Sequence, residues 1–144
     1  MNKHQVIYSI RPYVEGCRSL ITDHASLKRL MTMKALSIRL ASPKTKRPLQ
    51  KLYIDFLGKY PRSKSGHACI IIVVDNFPKY TFLKAMMEAT GTNVVSFLVS
   101  EVFYKFGVSE AIHLDNGKLF VSKAFEEMID GFGIEHLNTP VYSP

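Results

Sequence analysis

The segment LQKLYIDFLGKYPRSKSGHACIIIVVDNFPKYTFLKAM, Leu49–Met86, strings three runs of β-formers together with short polar breaks between them. Gln50 to Leu57 reads as a first strand, Gly58 to Gly66 as a basic turn region, HACIIIVVDNF as a second strand, and Lys79 to Met86 as a third. The unbroken Ile70 to Val74 run predicts a strand covered on both faces, and so a central one. Short connections favour antiparallel pairing of the three. One carboxylate, Asp55, interrupts LYIDFL. A charge placed there needs a partner or a metal ion, because an uncompensated buried carboxylate costs several kcal/mol. The best candidate partner is Asp115 in AIHLDNGKLF, which ends another short apolar run just before the turn residues Asn116-Gly117. Two carboxylates at strand ends suggest a divalent-metal site.

Downstream, Thr92 is positioned to cap a helix in which Val95, Leu98, Val99, Val102, Phe103 and Phe106 recur at helical spacing, with Gly107 as its stop. SEAIHLDNG then reads as a fourth strand, parallel to its neighbour because it follows a helix. Ser122 starts a second helix lined by Phe125, Met128, Ile129 and Phe132 and closed by Gly131 and Gly133, and Ile134 to Thr139 reads as a fifth strand. Three antiparallel strands followed by helix, strand, helix, strand is an α/β layered order. Upstream, a short amphipathic helix is expected after Asp23, which itself follows the strand-like SLIT. ASPKTKRP, residues 41–48, marks a linker or junction between residues 1–40 and a main domain spanning 49–144.

The 144 residues and 47% hydrophobic content are enough for one domain with its own core. No apolar run approaches the ~20 residues of a membrane span, and MNKHQ lacks the apolar stretch of a secretion signal, so the expected setting is intracellular with no membrane partner. Cys17 and Cys69 show no zinc-ligand spacing and read as reduced and structural. The net charge of +7 is uneven: residues 1–50 hold ten Lys/Arg against two acids, whereas residues 51–144 hold nine against ten. Such a basic arm suits a phosphate backbone, or is simply a soluble basic segment.

YIDFLGKYPRSKSGHACIIIVVDNFPKYTFLKAM followed by FGVSEAIHLDNGKLFVSKAFEEMIDGFGIEHLNTPVYSP resembles the integrase catalytic core of gypsy-type LTR retrotransposons, and more distantly of retroviruses. The likeness rests on an Asp in strand one, a V-V-D-x-F-x-K-Y turn, a D-N-G-x-x-F after strand four, sixty positions between the two acids, and a terminal Y-S-P. RPYVEGCRSLITDHASLKRLMTMKALSIRLA is similar to the end of the RNase H domain of such elements, with Asp23 as a remnant carboxylate. The two are joined here without the usual zinc-binding region, which points to an internal deletion in a degenerate element. The resemblance implies an RNase H-like mixed five-stranded sheet with flanking helices, incomplete at the C-terminus.

Chemically, the resemblance implies two-metal polynucleotidyl transfer with Mg²⁺ or Mn²⁺, on DNA, by a homo-oligomer acting in the nucleus. Asp55 and Asp115 would be catalytic metal ligands, and Lys59, Arg62, Lys64 and Lys118 would contact nucleic acid. The family's third ligand, a Glu on a helix beyond Y-S-P, has no assigned residue up to Pro144, so an incomplete active site is expected. Each residue also has a plainer reading: a salt-bridged strand Asp for Asp55, a turn former for Asp115 and Asp75, a packed strand residue for His113, a solvated turn for the basic loop. The alternatives to an integrase-type fragment are a non-catalytic nucleic-acid-binding remnant and an RNase H-type nuclease. Three structural expectations follow: strands one and four are neighbours, residues 1–40 pack loosely on the core, and apolar residues of the sheet and of Val94 to Phe106 are left exposed.

Overall fold

Along the first strand Leu52 and Ile54 alternate with Lys51, Tyr53 and Asp55, and this period of two becomes a buried face and a half-buried one. The computed structural model describes residues 44–77, 80–114 and 122–138. Residues 1–40 with Asp23 and Cys17, and the positions of Asp115 and Lys118, lie outside the described residues.

The strands are β1 (Lys51–Leu57), β2 (Cys69–Asp75), β3 (Thr81–Met86), β4 (Ala111–Leu114) and β5 (Glu135–Asn138). They form one mixed sheet in the order β3-β2-β1-β4-β5. β1 to β3 are a meander, with antiparallel pairs Asp55↔Ile72 and Ile72↔Leu83. β4 lies parallel to β1, with Leu52↔Ile112 and Ile54↔Leu114, and β5 lies parallel to β4. Strands one and four are therefore neighbours, as expected. An RNase H-like sheet with flanking helices is the architecture that results.

All seven residues of β2 are buried, which corrects the expectation that the sheet would expose apolar side chains. Ile71 and Val73 join the core on the face where the helices pack, and Ile70, Ile72 and Val74 are buried on the other face, so this strand is covered on both sides, as its unbroken apolar run predicts.

The first helical stretch begins with α1 (Gly91–Phe97), continues through a π-helical segment Leu98–Phe103, and ends in α2 (Tyr104–Phe106). Its cap is Thr90, not the expected Thr92: the Thr90 side chain accepts from the Asn93 amide at 3.3 Å. The buried stripe is Val94, Phe97, Leu98, Val102 and Phe103: of the expected positions Leu98, Val102 and Phe103 are buried, whereas Val95 and Val99 are only partly so and Phe106 is exposed. The π turn explains the phase. The Tyr104 amide reaches back five residues to the Val99 carbonyl, and the extra residue in that turn lets Val102 and Phe103 both face the core while Glu101 stays at the surface beside Lys105. The Lys105 hydrogen bond, ahead of its charge, holds the Glu101 carboxyl below the usual range.

Only the end of this stretch keeps apolar exposure, at Tyr104 and Phe106, joined by Val108 and by Phe132 of α3 (Lys123–Phe132). Even there two of the rings have partners: Phe106 stacks edge-on against Phe82, and Phe132 against Phe103. α3 starts at Ser122, whose hydroxyl accepts from the Phe125 amide, and stops at Gly133, which takes the left-handed conformation at φ 66°. The Ile134 amide then closes on the Ile129 carbonyl, satisfying a terminal acceptor of the helix. α1, the π segment and α3 cover one face of the sheet, where Phe97, Leu98 and Phe125 meet Leu52, Ile54, Ile71, Val73 and Phe82.

The β1–β2 connection prolongs the hairpin beyond the strands. Tyr60 donates to Ala68 at 2.8 Å and Ser63 to His67 at 2.9 Å. Gly58 makes this approach feasible: its φ is 111°, and a Cβ there would meet the Ala68 carbonyl oxygen at 2.8 Å. Gly58→Ala is expected to lower unfolding free energy by ~1–3 kcal/mol in urea titrations, because strain and the backbone clash add.

Candidate metal and nucleic-acid site

Asp55 is half-buried on the sheet face opposite Leu52 and Ile54. Its Oδ1 accepts from the amide of the next residue, Phe56, at 2.8 Å. Across β2 it faces Ile72, and the residue before it, Ile54, is in register with Leu114, the last residue of β4. In sequence, the next residues along the two parallel strands are Asp55 and Asp115. Carboxylate oxygens are the hard donors that Mg²⁺ and Mn²⁺ take, so Asp55 suits such an ion in chemistry. Among the described residues, no three His, Cys, Asp or Glu side chains stand together as a metal cluster.

On the same face as Asp55, Tyr53 stacks on His113 of β4 with ring centroids 4.9 Å apart, and the Lys51 ammonium lies 5.0 Å from the Tyr53 ring centre. His113 is thus packed against a strand neighbour, in keeping with its plainer reading.

Lys59 and Lys64 are exposed on the β1–β2 loop. Arg62 is exposed too, but its guanidinium is engaged within the fold: it donates to the Gly66 carbonyl at 3.2 Å and lies 3.5 Å from Glu88. A surface pair of this kind contributes little to stability but orients the guanidinium. The loop therefore carries two outward lysines and one arginine that braces the turn.

Asp75 is the residue the sequence reading undervalued. Read as turn chemistry, it is in fact the last residue of β2 and only 3% exposed. It does make the turn, its Oδ1 accepting from Phe77 at 3.1 Å, but its Oδ2 also accepts from the Leu49 amide, 26 positions away, at 2.8 Å. Its direct continuation of the apolar Ile70–Val74 run was the available signal, since a carboxylate there is drawn into the sheet with its strand.

Residues 45–144 match the integrase core domain. The chain belongs to the integrase core family. Among curated relatives, the Pro-Pol polyprotein of Simian foamy virus type 3 is 28% identical over 100 residues, covering 67% of this chain and 8% of the viral protein. The transposon Tf2-3 polyprotein of Schizosaccharomyces pombe is 25% identical over 119 residues, covering 82% of this chain and 8% of the polyprotein. The chain thus spans less than a tenth of the length of either polyprotein.

Among solved structures, the simian T-cell lymphotropic virus intasome superposes with a TM-score of 0.61 at 20% identity, over 71% of this chain and 36% of that one. The catalytic core domain of HTLV-2 integrase in complex with magnesium, in a trimeric form, gives 0.56 at 22% identity, over 64% of this chain and 60% of that one. At these identities the superpositions speak for the fold. No helix among the described residues is long and apolar enough to cross a membrane.

Cys69 plays no part in such a site. It is buried, is not in a disulfide, and its thiol lies 3.5 Å from the Met86 carbonyl. Burial, with a smaller push from Glu88, raises its pKa. Because the folded thiol holds its proton more tightly than the unfolded one, this contribution to stability is fully present below the unfolded thiol range and is lost as pH rises from there through the raised folded value. Peptide-resolved alkylation with iodoacetamide at pH 8 is expected to leave Cys69 unmodified until the chain is unfolded.

Proposed function

We propose that this chain is an integrase-type core fragment that holds a divalent cation between Asp55 and Asp115 and contacts DNA. The observation that carries the reading is the parallel pair Ile54↔Leu114, which puts the strand of one acid beside the strand that leads into the other. When bound, Mg²⁺ or Mn²⁺ supplies the positive charge that activates a water or 3′-hydroxyl and offsets charge on the leaving 3′-oxygen.

The chain's own part is to place carboxylate oxygens. Asp55, anchored in the middle strand of the sheet and tied by its Oδ1 to the Phe56 amide, is held against free rotation. The reading covers metal holding and DNA contact. Self-association in solution, and action in the nucleus, belong to the same proposal. Structures of a related core in dimeric and trimeric form support the former.

Calorimetric titration with Mn²⁺ should show binding by the unsubstituted chain and at least about a tenfold weaker affinity in Asp55→Asn, since a monodentate neutral amide replaces a charged ligand. Strand-transfer and RNA–DNA hybrid cleavage assays run beside it decide between the alternatives. Metal-dependent turnover lost in Asp55→Asn excludes a non-catalytic remnant, and turnover confined to hybrids favours the RNase H-type reading. Equal Mn²⁺ affinity in both proteins would overturn the assignment of Asp55.

Lys59 and Lys64 project into solvent where a phosphate backbone could lie. Replacing both with Ala should reduce the slope of log affinity against log salt by roughly one per lysine, measured by anisotropy on duplex DNA. Arg62→Ala should also weaken binding, together with a loss of order in the Gly58–Gly66 loop.

A further inference from the structure

The proposed site depends on a single register of β1 against β4, and a buried carboxylate at the far end of β1 bears on that register. Leu49 has φ 57°, the one positive φ of any non-glycine among the described residues, and a conformation unfavourable to a side chain is kept only where its surroundings over-determine it. Here they do. The Leu49 amide is bonded to Asp75 Oδ2, and its carbonyl accepts from the Glu110 amide at 3.0 Å. The Gln50 carbonyl then accepts from Ala111 at 3.2 Å, and the Lys51 carbonyl from Asn76 at 2.9 Å.

Leu49 and Gln50, which lead into β1, and its first residue Lys51 are thus bonded by turns to the end of β2, to the β2–β3 connection and to the start of β4. An aspartate that only made the turn would use one oxygen, towards Phe77. The second bond, across to Leu49, joins two parts of the sheet that the turn alone does not connect.

We propose that Asp75 is a positioning residue for Asp55. By fixing the left-handed corner at Leu49, it sets the register in which β1 enters between β2 and β4, and so the face and height at which Asp55 stands. The inference rests on the reading of Asp55 as a metal ligand. It requires no contact between Asp75 and the cation: a change of one residue in register would carry Asp55 to the opposite face of the sheet.

The test uses the full chain as Asp75→Ala, Asp75→Asn and the double variant Asp75→Ala with Leu49→Gly. Amide exchange by NMR is read at Glu110 and Ala111, with Val73 and Phe82, register partners in the β2–β3 pair, as internal standards, and Mn²⁺ affinity is measured on the same samples. Loss of a bond to a charged acceptor should speed exchange at Glu110 and Ala111 by about tenfold or more relative to the standards in Asp75→Ala. Mn²⁺ affinity should fall by about fivefold or more. Asp75→Asn, which keeps an acceptor, should lie between. The double variant should recover part of both losses, because glycine adopts the corner without strain.

Unchanged relative exchange at Glu110 and Ala111 would overturn the proposal. So would unchanged Mn²⁺ affinity where those amides have become exposed. If all amides speed up together, Asp75 serves general stability and the proposal fails. Failure of the unsubstituted chain to bind Mn²⁺ would overturn the metal reading itself, and Asp75 would then position no ligand, a result distinct from loss confined to the Asp75 variants.

Discussion

β1 must be hydrogen-bonded along both edges at once, antiparallel to β2 and parallel to β4, and every other feature of the molecule is arranged around that constraint. From Leu52 to Ile54 both edges of β1 are taken up by neighbouring strands, so there its side chains decide what it presents. Leu52 and Ile54 go under the helices, while Tyr53 and Asp55 go to the other face. The helical stretch between β3 and β4 is the crossover that a parallel neighbour demands, since two parallel strands cannot be joined by a tight turn. Its buried stripe packs on the same residues of β1 that alternate away from Asp55.

Much of this was legible in the sequence because the signals were periodic and local. Ile70 to Val74 could only be a central strand, and Ser122 with Gly133 bounded the second helix as their capping chemistry requires. What escaped was non-local or aperiodic. Thr90 and Thr92 are equally good caps in a string of letters, and the choice depends on where β3 releases the chain. The π turn has no sequence signature, so a stripe extrapolated at a constant 3.6 residues per turn drifts from Val94 and Phe97 to Val95 and Val99. Asp75 looked like a turn residue and is one, but a second bond to a residue 26 positions earlier cannot be inferred from neighbours in sequence. At the candidate site, the strand pairing was foreseen from the two acids themselves. The distribution of roles within the basic loop was not, because Arg62 differs from Lys59 and Lys64 only through Glu88 and the Gly66 carbonyl.

The basic loop shows how charge and architecture divide between chemically similar residues. A guanidinium offers several donors in a fixed plane and can bridge a carbonyl and a carboxylate together, whereas an ammonium on a flexible stem is suited to meeting a mobile phosphate. Arg62 does the first within the hairpin extension, and Lys59 and Lys64 are left for the second. The brace keeps both lysines on a narrow, ordered ribbon whose rungs run from Tyr60 to Ala68 and from Ser63 to His67.

The mixed sheet also has a history written into its connections. Joining β1 to β2 closes the 11 residues between Leu57 and Cys69, whereas joining β1 to β4 closes the 53 between Leu57 and Ala111. The longer closure costs about 1.4 kcal/mol more in chain entropy, and it must be met before the parallel bonds offer any return. Loop closure alone therefore favours a meander that forms first and offers β4 an edge already built. In that order the strand bearing Asp55 would be in place before the strand leading to Asp115 reaches it.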